Sequence, residues 1–440
     1  MARAYTQPHG RKPLGRDAVT LGSVKRTFFV IDIVAAVILL TGVAGAAVVL
    51  THRNTGPKPS AFPTAALTQS ASPTPSPTPT TTQVSRPRPV ALGNWPTYGY
   101  NDARVRFNPN IDLHPPYRLK WKFGAGDLIE FPPSIFDGKL YFCTQHGYVY
   151  SLRANDRHVR WRYHLKGALF ASTPTVGARS VYVTSFAGKL IVLNARTGKV
   201  RWTVSGLGAT ESSPLVWKGR VFFGSQAGNL YAVSISSHRV VWRYQTGGAV
   251  KGAPAQLNGR IVVGSYNGAV YCLSWGGHLY WRRSTGGILG SSDQFYATAA
   301  LAYDTVYIGS IGAHIYAFDL GNGGTRWSFP TGGYVYSSPA VWHNLVFEGS
   351  YDGYFYALNA ANGRQAWRFY AGGPISGSPT VLNGIVYVST LRRHTWGIDV
   401  RTGRVVWQFP DGKYTPVTAD RKTLYLCGSH RLYALVPKKK

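Results

Sequence analysis

One tryptophan recurs in the same local setting eight times along the chain, as Trp121, Trp161, Trp202, Trp242, Trp281, Trp327, Trp367 and Trp407, at intervals of 40, 41, 40, 39, 46, 40 and 40 residues. A period of that length restricts the fold to an array in which each repeat is one supersecondary element. A length of 440 residues would by itself argue for two or three domains. The repeat overrides that count, because arrays of this kind run long as one body. Around the tryptophan the wording is nearly constant: "LNARTGKVRW" at 193–202, "LNAANGRQAW" at 358–367 and "IDVRTGRVVW" at 398–407, each with a glycine turn four residues before the ring.

Within one unit, such as 337–370, the segments "SSPAVWHN", "LVFEGSYDG", "YFYALNAANG" and "RQAWRFYAGG" alternate apolar and polar residues and end in Gly, Asn or Asp. They read as four short strands of one antiparallel sheet, the blade of a β-propeller. Fifty glycines, 28 tyrosines and 13 tryptophans against one methionine suit twisted sheets and tight turns better than packed helices. The ends predict closure. "YTPVTADRKTLYLCGSHRLYALV" supplies three strands without a tryptophan strand, and "YRLKWKF" at 117–123 is a tryptophan strand that precedes any complete unit. Joined, they make an eighth blade and remove the open edges of the array.

These residues resemble the pyrroloquinoline-quinone-like (PQQ-like) repeat family of eight-bladed propellers, through a motif close to A-x-D-x-x-T-G-x-x-x-W over roughly residues 94–436. Ala317, Asp319, Asn322, Gly323 and Trp327 follow it, as do Ala357, Asn359, Asn362, Gly363 and Trp367; Asp399, Thr402, Gly403 and Trp407 match with Gly397 in the alanine place. "NWPTYGYNDARVRFNP" is similar to the segment that introduces the propeller in this family. The resemblance implies an all-β, eight-bladed fold over 93–436 in which each tryptophan docks on the neighbouring blade. A large ring on an outer strand, burying ample apolar area, has the same role on physical grounds. The residue after the tryptophan is Lys122, Arg162, Arg243, Arg282 or Arg368 in five of the eight strands. These charges point away from the ring, deter edge-to-edge pairing and leave a basic perimeter.

Ahead of the propeller, residues 28–50 form a 23-residue apolar run with one charge, Asp32, long enough to cross a hydrocarbon core of ~30 Å. Arg3, Arg11, Lys12, Arg16, Lys25 and Arg26 precede it, against Arg53 and Lys58 close behind. The run reads as a transmembrane helix with the basic tail 1–27 in the cytoplasm and the rest outside; a cleaved signal peptide ending near Ala44–Ala47 is the competing reading. Residues 51–92, with nine prolines and fourteen Ser/Thr, cannot bury a core and read as an extended, disordered stalk. Residues 437–440 are a basic tail. Of the formal charge of +31, residues 1–92 carry +8, leaving +23 on the remainder. An anionic partner is therefore considered for the body, a wall polymer or lipid surface ahead of nucleic acid. Cys143, Cys272 and Cys427 include no C-x-x-C pair, and the placing of Cys143 and Cys427 on adjoining packed sheets favours three buried thiols over a bridge.

In a four-stranded blade, the loops from outer to next inner strand and from second to third strand open on one face. Departures from the repeat on that face are candidates for a site. The interval of 46 places extra residues near "GSSDQFYA", 290–297, and "STLRRHTWG", 389–397, replaces the usual Asp-Gly turn. The candidate ligand- or partner-binding residues are thus Asp293, Gln294, Phe295, Tyr296, Arg392, Arg393 and His394. Matching turns offer His146, Phe186, Gln226, Tyr266, Tyr351 and His430, a basic and aromatic mouth suited to an anionic or sugar-like ligand.

The resembled family includes quinoprotein dehydrogenases, whose quinone sits over the propeller on a calcium ion, commonly beside a vicinal cysteine pair. It also includes the propeller lipoprotein of the outer-membrane β-barrel assembly machinery, which has no catalytic role. This sequence has no adjacent cysteines, H-E-x-x-H, G-x-S-x-G or P-loop, and Glu130, Glu211 and Asp293 form no calcium-ligand spacing. The expectation from sequence is a monomeric, membrane-anchored, non-catalytic binding or scaffold domain of a bacterial cell envelope, with no metal and no cofactor. Its partner would be an extracytoplasmic protein or an anionic polymer. A PQQ-dependent oxidoreductase with calcium is the alternative.

Overall fold

The computed structural model describes residues 87–177, 179–285, 293–414 and 417–438. The expected transmembrane helix 28–50, the tail 1–27, most of the stalk, the first residues of the 290s insertion and residues 439–440 lie outside the described residues. Within them the fold is all-β, as the period requires: eight blades arranged around one axis, seven of them built from four sequence-consecutive strands. Blade 1 consists of Ser134–Phe136, Lys139–Cys143, Tyr148–Arg153 and Val159–His164, and blades 2 to 7 repeat that order. In blade 8 the strands Val417–Ala419, Leu424–Cys427 and Arg431–Pro437 are completed by Tyr117–Gly124. Leu119 lies opposite Leu435 and Trp121 opposite Ala434, so the two ends of the body pair antiparallel and close the ring.

The second and third strands of each blade are buried along most of their length, whereas the outer strands alternate inward and exposed positions. The cores therefore lie between blades. Each tryptophan docks where the repeat requires it: the indoles of Trp121, Trp161, Trp242, Trp281, Trp327 and Trp367 donate to carbonyls of the next blade, such as Trp327 to Ala360 O at 2.9 Å. The other two use substitutes. Trp202 stacks on His238, at 4.6 Å between centroids, and Trp407 meets Tyr117 edge-on at 5.5 Å. Three of the basic residues that follow the tryptophan lie over tyrosines of their own sheet: Arg162 over Tyr148, Arg282 over Tyr271 and Arg368 over Tyr354. Cys143, Cys272 and Cys427 are free and buried.

The segment that introduces the propeller does more than lead into it. Residues 95–108 run across the inner strands: Trp95 bridges Ile135 of blade 1, and Pro96 O accepts from Val176 N of blade 2. Asp102, Ala103, Val105 and Arg106 then offer their carbonyls to Gln256, Leu301, Val341 and Val381 of blades 4 to 7. Phe107–Asn108 finally pairs parallel to the inner strand of blade 7. A short chain thus ties together inner edges that would otherwise carry unpaired backbone groups. Arg104, fully buried, donates to Pro254 O at 3.0 Å, Thr97 Oγ1 at 2.6 Å, Tyr98 O at 2.5 Å and Pro214 O at 3.2 Å.

Candidate functional site

The two loop classes expected to share a face do so. In seven blades the turn between second and third strands donates a backbone N–H to the loop that enters the same blade, as from Gln226 to Ala209 O and from Tyr351 to Tyr334 O. Four residues ahead of every inner strand the entering loop presents one side chain at the same register: Glu130, Ala171, Glu211 and Lys251 in blades 1 to 4, then Tyr296, Tyr336, Ser376 and Lys413 in blades 5 to 8. Two residues further on, four of the loops hook to the next: Thr173 N donates to Ser213 Oγ at 2.9 Å, Ala253 N to Thr298 Oγ1 at 2.8 Å, Thr298 N to Ser338 Oγ at 3.0 Å and Ser338 N to Ser378 Oγ at 3.0 Å. These hooks tie blade 2 to blade 3 and blades 4 to 7 in series at the level of the register residues.

Six of the eight register positions, all but Ala171 and Lys413, line one axial funnel that opens to solvent at its mouth. Tyr98 of the introducing segment also lines it, with its hydroxyl bonded to Ser378 Oγ at 2.8 Å. The walls differ in chemistry. On one side Lys251 Nζ stands 3.0 Å from Glu211 Oε1 and lies over the rings of Tyr266 and Tyr296 at 5.0 and 5.7 Å. Tyr296, Tyr336 and Tyr351 continue as an aromatic arc, with centroids 5.4 and 4.9 Å apart. Glu130 lines the same funnel. Enclosure by the walls, reinforced by the Glu211 carboxylate and only partly opposed by Lys413 and Lys251, pushes its carboxyl up to about 7. A carboxyl poised there exchanges a proton at neutral pH, which suits a general acid or base.

Burial alone would raise the Tyr98 phenol. Arg106, 4.6 Å from its ring centroid, and the hydroxyls of Ser338 and Ser378 outweigh that effect and bring it below its ordinary value.

Of the candidates read from the sequence, Tyr296 is part of this funnel. Phe295 is wholly buried in the inter-blade core, Asp293 accepts a hydrogen bond from the Tyr316 hydroxyl, and Gln294 O is held by Ile311 N. Arg392 is exposed. Arg393 pairs with Asp411 at 3.2 Å, and His394 lies against Trp396. No hydrogen bond, ion pair or ring contact joins 293–296 to 392–394 among the described residues. Of the matching turns, Gln226, Tyr266 and Tyr351 touch the register residues. Glu130, Glu211, Lys251, Tyr336 and Tyr98 were not read as a site. For Glu211 and Tyr336 the signal lay in the repeat itself, in the residue two places ahead of an "SP"; five of the eight entering loops carry "SP" or "TP" at that place, with charged, aromatic and small residues before it.

Comparison with known proteins corrects the functional expectation. A stretch of 129 residues is 28% identical to 1-butanol dehydrogenase (cytochrome c) of Thauera butanivorans, covering 26% of this chain and 19% of that protein. Another of 156 residues is 28% identical to quinoprotein glucose dehydrogenase of Escherichia coli, covering 27% and 20%. The chain thus matches about a fifth of each relative's length. The expectations of a non-catalytic module, of no enzyme and of no cofactor are overturned by these dehydrogenase relatives, which favour the alternative. The physical reason for the error is that a site assembled from one residue per blade, some 40 positions apart, leaves no linear motif to find. The fold is also that of BamB from Moraxella catarrhalis, at a TM-score of 0.64 and 18% identity, over 73% of this chain and 99% of that one. Residues 118–329 and 312–439 match the family profile described as outer membrane protein assembly factor BamB, built on the PQQ-like repeat, and the chain belongs to that family.

Proposed function

We propose that the protein is an oxidoreductase of the quinoprotein dehydrogenase kind, with the axial funnel as its active site and an alcohol or sugar hydroxyl as the group oxidised. The observation that carries this reading is Glu130, a carboxyl poised near neutrality beside the Glu211–Lys251 pair in one funnel. The dehydrogenase relatives support it.

The residues present fit an anionic planar quinone. Lys251 offers a cation for a carboxylate, Ser213, Thr298, Ser376 and Ser378 offer hydroxyls, and the Tyr296–Tyr336 arc offers aromatic walls. They do not fit the calcium ion: among the described residues no three His, Cys, Asp or Glu come together as metal ligands. No step is therefore routed through a metal. When bound, the quinone supplies the two-electron acceptor. Glu130 accepts the proton of the substrate hydroxyl as a general base, and its carboxyl, pushed up to about 7, is about half ionised at pH 7 and so available for that role. Glu211 keeps Lys251 at the rim, and the tyrosine arc shields that side of the funnel from water.

The body stands, on this proposal, outside the cytoplasmic membrane, held by the apolar run 28–50 and the stalk 51–92. The support is the length of that run and the excess of Lys and Arg before it.

The test is titration of the full-length protein with pyrroloquinoline quinone, followed by dye reduction with alcohols and sugars. Binding that weakens in Lys251→Met, and turnover lost in Glu130→Gln with binding kept, are the expected results. Absence of both binding and dye reduction at high quinone excess ends the proposal.

A further inference from the structure

Beneath the funnel, on the other side of Tyr98, lies a second cavity. It is lined by Trp95, Tyr98, Arg106, Ser378, Thr380 and Thr418 among others, with room for roughly one water-sized particle. Two of its walls bring hydrogen-bond donors with no partner among the described residues: Nη2 of Arg106, 2% exposed, and Nε1 of Trp95, 1% exposed. Buried donors are satisfied in the great majority of cases, and each exception asks for a partner.

The charge balance asks for the same thing. Arg106 donates through Nη1 to two backbone carbonyls, of Arg104 at 2.7 Å and Pro339 at 3.2 Å, and no carboxylate lies within ion-pair distance of it among the described residues. Arg104 is buried next to it, and the two repel. Asp102 is already engaged by Arg88 at 3.0 Å. Glu348, the nearby acid, is fully buried, makes no ion pair with Arg106 among the described residues, and is raised by burial well above the usual carboxyl range. A buried guanidinium without a counter-charge is costly.

We propose that this inner cavity is a binding site for a small monovalent anion of the chloride class, held by the Arg106 guanidinium and the Trp95 indole N–H. The anion neutralises the floor of the channel and secures residues 95–108 across the inner strands. It thereby fixes Tyr98, which forms the boundary between this cavity and the funnel. The site stands independently of the oxidoreductase reading, because it needs neither quinone nor substrate.

The experiment is thermal unfolding of the full-length protein in chloride against gluconate at equal ionic strength, with bromide-soaked crystals for direct location. Chloride is expected to raise Tm by roughly 2–4 °C at concentrations well above its dissociation constant, and anomalous scattering should place bromide between Arg106 and Trp95. Trp95→Phe, which keeps the ring and removes the donor, should weaken the response about ten-fold in chloride concentration, and Arg106→Met should abolish it. Identical melting in the two salts, no bromide in the cavity, or an unchanged response in Trp95→Phe would each overturn the proposal. So would chloride-insensitive tyrosinate absorbance at neutral pH, since ionised Tyr98 would then be the counter-charge.

Discussion

Trp161 lies flat against Gly198 of the next blade, so close that a Cβ built on Gly198 would sit 2.6 Å from Trp161 Cδ2. The indole N–H then reaches Ala195 O at 3.0 Å on the same turn. The pair recurs as Trp242 on Gly277, Trp281 on Gly323, Trp327 on Gly363 and Trp367 on Gly403. The repeated Gly-x-x-x-Trp wording therefore encodes an inter-blade joint: the glycine of one repeat receives the tryptophan of the repeat before it. Where the glycine is replaced, as by His238, a second flat ring takes the contact.

Substitution of Gly198 by alanine is therefore expected to cost more than the backbone term alone. Gly198 has φ +72°, which any side chain resists, and the added methyl meets the indole as well. Gly138, at φ +65° with open space around it, isolates the backbone part. Gly198→Ala should lose about 2–4 kcal/mol and Gly138→Ala about 1 kcal/mol, read by urea denaturation. Equal losses would deny the joint its packing role.

The Arg104 latch gives a second test. Its guanidinium spans carbonyls of blades 3 and 4 and two groups of its own segment, a geometry that an ammonium cannot reproduce. Arg104→Lys should lose about 3 kcal/mol or more, because several buried acceptors are left without a donor. Hydrogen exchange should rise first at Gln256, Leu301, Val341 and Val381, whose amides bond to this segment. A stable variant with those amides still protected would show that the segment needs no latch.

Eight blades, their four strands, the closing strand and the docking of the tryptophans were legible because each rests on a period that the sequence repeats many times. Most of the candidate site was not, for the same reason. Glu130, Glu211, Lys251 and Tyr296 become neighbours only when the ring closes, and along the chain each is one variable letter in a loop. The 290s and 390s loops stand out because they break the wording; Tyr296 of the first lies in the funnel, whereas Arg393 of the second pairs with Asp411. Tyr98 and Arg106 were hidden differently: nothing in "NWPTYGYNDARVRFNP" says that two arginines will be fully buried, since charge patterning alone assigns arginine to the surface.

The Glu130 carboxyl predicts a pH limb whose position other residues control. Activity that needs ionised Glu130 rises through about pH 7 in the native protein. Glu211→Gln removes a like charge and should move the limb to lower pH, whereas Lys251→Met removes an opposing cation and should move it higher. Infrared titration of the carboxylate band tests both signs without any substrate. Shifts of the same sign in both variants would remove Glu130 from this electrostatic set.

Glu348 occupies a place where the other blades carry Phe142, Val183, Phe223, Val263, Ile308, Val388 and Leu426. Burial is the largest influence on it and holds its carboxyl well above the ordinary range, outweighing Ser337, Arg106 and the Gly349 amide. The folded protein thus keeps a proton that the unfolded chain releases above about pH 4.3. By linkage, a group bound more tightly to its proton in the folded state makes stability fall as pH rises from that value, by up to about 1.4 kcal/mol per pH unit, until the folded carboxyl itself ionises. Glu348→Gln retains the shape and has no proton to lose. Its stability relative to the native protein should be lowest near pH 4 and climb toward pH 7, with Glu348→Ile, which restores the blade pattern, behaving the same way. Denaturant midpoints at three pH values decide it, and a difference that stays flat across them would place an ionised carboxylate at position 348.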